Sequence, residues 1–327
     1  MEKREKTRRL FPGMQSVAAR LDMVAEAVEV LRGEAETEIT GIREKVRERR
    51  GLQIHEVCVL SQKAAARLGK AQGCYITCRI PAVQDEKSIA VAAAVIGEEL
   101  AALLPPLQGK SLLLVGLGNR EAIPDALGPR VAEKSFATRH LFQEQEQEGL
   151  NSLCVLCPGV TGMSGMEAAE SVSALARQLQ PAAVLLVDSL AAASVSRVGL
   201  SVQLTDTGIS PGGGVGNRRP GISRENCGCP VLAMGVPTVV DTAAIIEGTL
   251  HSLGKFWQER GQFLPALSDE ACHFAEQELL QAFGGRLMVT PKDIDQLIAD
   301  AAEILAAAIA IAVHPAAGMD NFHDFIR

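Results

Sequence analysis

Three short runs, residues 111–117, 152–156 and 182–187, constrain the fold of this chain more than anything else in it. Each is apolar at nearly every position rather than at alternate ones, the pattern of a strand covered on both faces. Between them lie helical patterns at 129–141 and 164–179, long enough to carry the chain back between parallel strands. The alternation extends in both directions. Strands are predicted at 52–60, 75–80, 200–204 and 231–234, and helices at 84–104, 239–253, 269–283 and 291–313. That order predicts an α/β fold: a doubly wound, mostly parallel sheet with helices on both faces. With 327 residues and no internal repeat, one such domain is the economical reading.

The first fifty residues follow a different pattern. Up to Arg20 the basic residues Lys3, Arg4, Lys6, Arg8, Arg9 and Arg20 outnumber Glu2 and Glu5, and an acidic stretch follows. Val17, Leu21, Val24, Val28 and Leu31 recur at steps of three and four, which predicts an amphipathic helix stopped at Gly33. Such a helix either lies on the domain surface or belongs to a detachable leader. No apolar run follows the basic start, so no secretory signal is read there, and the apolar stretch 304–313 is too short to span a bilayer. A cytoplasmic setting is expected, with most of the eight cysteines reduced. A net charge of −7 disfavours nucleic acid and anionic membrane as partners.

The run Leu112–Asn119, LLLVGLGN, starts like a dinucleotide fingerprint but has Glu121 where the third glycine belongs. Its glycines mark a tight turn at a strand's carboxyl end, where open α/β sheets bind their ligands. Asp125 follows in PDALGP. Capping is the common role for an aspartate near a helix start, yet Pro129 favours a helix beginning near Gly128, which leaves Asp125 in the loop. Asp188 closes the apolar run Val184–Val187. Parallel strands lie ~4.8 Å apart, so carboxylates above neighbouring strand ends can share a proton, one serving as base and one as acid. Asp206, after another strand, is a third candidate or a turn former, and Asp241 fits the first turn of a helix. The loop 211–219, which contains Asn217 and Arg218, could cradle an anion or act as a flap. Cys154, Cys157, Cys227 and Cys229 fit buried core thiols better than a zinc site, so no metal site is assigned. His140 is the one histidine near the expected site, and no nucleophile elbow, HExxH or P-loop occurs.

Eight collinear blocks resemble the bacterial spore germination protease family: VGLGN, PDALGP, TRHLF, PGVTGMSGMEAAE, VDSLAAAS, DTGISPGGGVGNRR, GVPTVVD and LMVTPKDID. The resemblance implies an endopeptidase that degrades small acid-soluble spore proteins in the spore core, with a fold similar to the hydrogenase maturation proteases. It implies a homotetramer, no cofactor and a metal-independent pair of catalytic aspartates, which fall on Asp125 and Asp188. Asn119, Asp206, Asn217 and Arg218 lie in the family blocks as candidates for a substrate-site loop. The family also removes a short leader from itself, which here implies cleavage between Asp22 and Met23, giving a leader of 1–22 and a domain of 23–327. Two further readings rest on the residues alone: a metal-dependent maturation peptidase, and a nucleoside phosphorylase-like transferase using the glycine-rich loops for phosphate.

Overall fold

A computed structural model of the chain describes residues 22–32, 39–80, 83, 85–107, 109–142, 149–209, 220–260, 274, 277–278, 281 and 287–314. Its strands are β1 (Ile42–Arg49), β2 (Leu52–Val59), β3 (Gly73–Arg79), β4 (Leu112–Gly116), β5 (Leu153–Leu156), β6 (Ala183–Ala192), β7 (Ser201–Thr205), β8 (Val231–Asp241) and β9 (Met288–Val289). Its helices are α1 (Val24–Arg32), α2 (Gln62–Leu68), α3 (Glu86–Leu103), α4 (Leu127–Lys134), α5 (Thr161–Ser164), α6 (Ala168–Leu179), α7 (Arg224–Cys227), α8 (Thr242–Glu259) and α9 (Ile294–Val313).

The strands form one sheet in the order β1-β2-β3-β7-β8-β6-β4-β5, with β9 on β8. The three apolar runs become β4, β5 and β6, and these pair in parallel with one another and with β8. The rest is antiparallel, so the sheet is mixed rather than mostly parallel. Local geometry accounts for part of this. Arg50 (φ 50°) and Gly51 (φ 81°) make a two-residue turn between β1 and β2, and so tight a connection can only reverse the chain. Strand β1 was missed in the sequence because it is an edge strand reading IREKVRER, with no residue fully buried. Charged edges protect a sheet from further pairing.

Helices cover both faces, as expected. On one face α3, α4 and α9 pack on Leu112, Leu114, Leu185, Val187, Leu204 and Met234. Gly97 of α3 lets α9 approach closely: a Cβ there would meet the Ala308 carbonyl oxygen at 2.9 Å. The late apolar stretch is longer than expected. Helix α9 has 20 residues and a mean hydropathy of 1.9, enough by length and composition to cross a membrane, but its Ile298, Leu305 and Ile309 are buried in this core. On the opposite face α6 covers Val184, Leu186 and Ala233, while α1 and α2 cover Val57, Val59 and Tyr75 at the β2–β3 end.

Several boundaries moved for identifiable reasons. The helix expected over 129–141 ends at Lys134, because Thr138 is drawn onto β5, its hydroxyl accepting from the Leu153 N–H at 2.8 Å. The helix expected from 164 starts at Ala168, after Gly165 (φ +73°) ends the single turn of α5. Residues 239–241 belong to β8, where Val240 and Asp241 pair with β9, not to the following helix. Cys58 and Cys74, directly opposite on β2 and β3 with Cα atoms 4.1 Å apart, are joined in a disulfide; Cys78, Cys154, Cys157, Cys227 and Cys229 are free thiols. Of the helix expected over 269–283, residues 274, 277–278 and 281 are described and helical; the rest of it, most of the leader and the loop 211–219 lie outside the described residues.

Candidate active site

Strand β4 ends at Gly116, opposite Val187 of β6, and the Leu117 N–H donates to the Val187 carbonyl at 2.8 Å. Beyond that point β6 runs on without β4 beside it. Asp188 is the first residue past the divergence. It lies inside β6, not at its end as the apolar run implied, because the strand continues to Ala192 alongside β8. Strand alternation puts Asp188 with Val184 and Leu186 on the α6 face, where it is 7% exposed. Its Oδ1 accepts from the Ser189 N–H at 2.9 Å.

Asp125 arrives from the same gap. The chain leaving β4 turns at Gly118 (φ +111°), a conformation open to glycine, and a Cβ there would meet the Asp125 carbonyl oxygen at 2.1 Å. Residues Ile123–Asp125 form a 3₁₀ turn, and α4 starts at Leu127 with Ala126 as its uncapped N-terminal residue. Asp125 is therefore no helix cap, as Pro129 indicated. Its Oδ2 instead accepts from the Asn119 N–H at 2.8 Å, closing the loop, and Asn119 Oδ1 accepts from the Glu121 N–H at 3.0 Å. The 3₁₀ turn packs on β6 and β8. Both aspartates thus lie where β4 stops and β6 continues.

The other candidates separate. Asp206 follows β7, which runs antiparallel, so it points toward the opposite end of the sheet and ties β7 to β3 by accepting from the Cys74 N–H at 2.8 Å. His140 is exposed in the 3₁₀ turn Arg139–Phe142 beside the amino end of β5, away from both aspartates. Asp241 ends β8 and caps α8, accepting from the Ala243 N–H at 3.0 Å. Cys227 and Cys229 are buried in the α6-side core, with Cys154 packed against it. Asn217 and Arg218 lie outside the described residues.

The resemblance put a cut between Asp22 and Met23, but composition and motif gave no hint of where that junction lies. Residues 22–26 lie across the face that carries Asp188. Asp22 Oδ2 accepts from the Ala191 N–H at 2.9 Å, and the Gln203 side chain donates to the Asp22 carbonyl at 3.0 Å while accepting from the Val24 N–H at 2.7 Å. Gln203, Gly235 and Asp188 are register partners across β7, β8 and β6, so their side-chain positions share one face. The Asp22–Met23 junction therefore spans that row, and Met23 is fully buried. Glu26 accepts from the Ala193 and Ser194 N–H groups at 2.7 and 3.1 Å and pairs with Arg197 at 3.3 Å. Burial outweighs these contacts and pushes its pKa up to about 7. Gln203 and Arg197 carry no motif; only their long-range contacts reveal them.

A crevice at the carboxyl ends of parallel strands is where an α/β enzyme holds its substrate, and here the occupant is polypeptide. The comparison with known proteins places the class. The family described as germination protease matches residues 17–280 and 263–326. The germination protease of Clostridium tetani is 35% identical over 323 residues, covering 95% of this chain and all of the relative. That of Clostridium acetobutylicum is 33% identical over 329 residues, covering 95% and 99%, and that of Bacillus velezensis 35% over 350, covering 92% and 95%. The chain belongs to the germination protease family and is a peptidase.

Proposed function

We propose that the protein is an endopeptidase that cuts small acid-soluble spore proteins during germination, in the cytoplasm of the spore core, and that it is made with a leader it removes itself between Asp22 and Met23. The observation that carries this reading is the docking of that acidic–apolar junction over the strand row that includes Asp188. In the proposed mechanism Asp125 and Asp188 hold one proton between them. The ionised carboxylate takes a proton from water as the water oxygen attacks the carbonyl carbon. The carboxylic acid then gives its proton to the departing nitrogen as the C–N bond breaks, and the pair is restored to its starting charge. No metal or cofactor enters these steps.

The test is Asp188→Asn, which keeps the size of the side chain and removes its acid–base chemistry. The variant is expected to fold, by circular dichroism, and to lose about 10²–10⁴-fold of its rate on a purified small acid-soluble spore protein, with the cut sites read by mass. Full activity in this variant would sink the aspartate assignment. A homotetramer is part of the same reading.

A further inference from the structure

Gln203 belongs to none of the family blocks, yet it is the residue that brackets the Asp22–Met23 bond. Its carboxamide is oriented without ambiguity. The Asp22 carbonyl can only accept and so faces Nε2–H, whereas the Val24 N–H can only donate and so faces Oε1. The 3.0 Å contact places a hydrogen-bond donor on the oxygen that gains negative charge when water adds to this carbonyl. Gln203 is 7% exposed, so the contact is made in a site largely closed to water, where such a dipole acts most strongly. The register places Gln203 two strands from Asp188, roughly 10 Å between main chains at ~4.8 Å per strand, with side-chain-free Gly235 between them. A Cβ at Gly235 would come within 2.5 Å of the Asp188 carbonyl oxygen and 2.8 Å of Leu190 Cγ. On the far side of the row the Ala191 N–H holds the Asp22 carboxylate.

We infer that Gln203 is a catalytic residue of this peptidase: Nε2–H stabilises the oxyanion formed on the residue before the cut, and Oε1 fixes the N–H two residues along. The inference rests on the proposed peptidase reading. As water adds to the carbonyl carbon, the C=O π electrons move onto oxygen, and the Gln203 N–H meets that charge. The electrons return to re-form C=O as the C–N bond breaks and the nitrogen takes a proton. Both main-chain contacts are independent of substrate sequence.

The experiment follows self-cleavage of the full chain between Asp22 and Met23 by mass, with wild type, Gln203→Ala and the near-isosteric Gln203→Glu compared across pH 5–8. The wild-type rate is expected to be independent of chain concentration, since each chain's junction occupies its own clamp. Gln203→Ala should slow cleavage by about 10²–10³-fold at every pH, the usual effect of losing one oxyanion donor. Gln203→Glu should be equally slow at pH 8 and recover as pH falls, because a protonated carboxyl regains a donor. A purely packing role would give no such recovery, and the isosteric variant keeps the test intact if the alanine variant does not fold. If wild type cuts and both variants cut at its rate, the clamp is wrong and the peptidase reading stands. If wild type cuts neither its own junction nor a small acid-soluble spore protein, the peptidase reading fails and the clamp with it.

Discussion

At Gly128 the first turn of α4 lies so close to the strand ends that an added Cβ would sit 2.2 Å from the Leu117 carbonyl oxygen and 2.6 Å from that of Val187. Gly116 faces it, with room for a hydrogen and no more: its Cβ would meet the Gly128 carbonyl oxygen at 2.3 Å. The nearest neighbours of both are backbone atoms, which cannot swing aside as a side chain can. These two glycines let α4 rest on β4 and β6 and so seat the turn that carries Asp125. Gly128→Ala is expected to cost about 1–3 kcal/mol of stability and to reduce cleavage by more than that loss explains, because it displaces Asp125. Urea unfolding and turnover of a spore-protein substrate, measured on the same preparation, check both parts. The glycines were legible in VGLGN and PDALGP as tight turns. That they press against each other was not, since they lie 12 positions apart in sequence.

Helix α1 shows what an element can owe to partners far along the chain. Its amphipathic pattern was readable, and Val24, Ala27 and Val28 are buried against β2 and α2. Glu26, which that pattern leaves among the acidic residues, is 3% exposed and anchored on Ala193, Ser194 and Arg197, with Glu29 also near Arg197. Its docked pKa of about 7 exceeds the ordinary 4.5, so the docked state holds a proton more tightly. Docking of α1 is then strongest below about pH 4.5 and weakens as pH rises through 7, by up to about 3 kcal/mol. Hydrogen-exchange protection of the α1 amides, corrected for intrinsic rates, is expected to be higher at pH 6 than at pH 8. Glu26→Gln should flatten the difference; a wild type with equal protection at both would contradict the anchor. Among the sheet elements, β6 and β8 ran longer than their apolar cores: Asp188 interrupts the sequence pattern but not the pairing, and at Thr238 the register slips by one residue before pairing resumes.

For the whole molecule, the mixed sheet sets where function can sit. The parallel half, β5-β4-β6-β8, supplies the gap that holds Asp125 and Asp188; the antiparallel half supplies Gln203 on β7 and the platform for α1. If the homotetramer of the proposed function is correct, sedimentation equilibrium will give four chain masses at micromolar concentration, and a single chain mass there would remove it. The sequence by itself determined the apolar strand cores, the helices between them and the turn glycines, since each rests on local periodicity or local sterics. Tertiary structure alone decided the antiparallel edge, the burial of Glu26 and the meeting of residues 22–24 with Gln203. Those depend on strand register and on contacts across about 180 positions, where no short-range pattern in the chain records which groups will face each other.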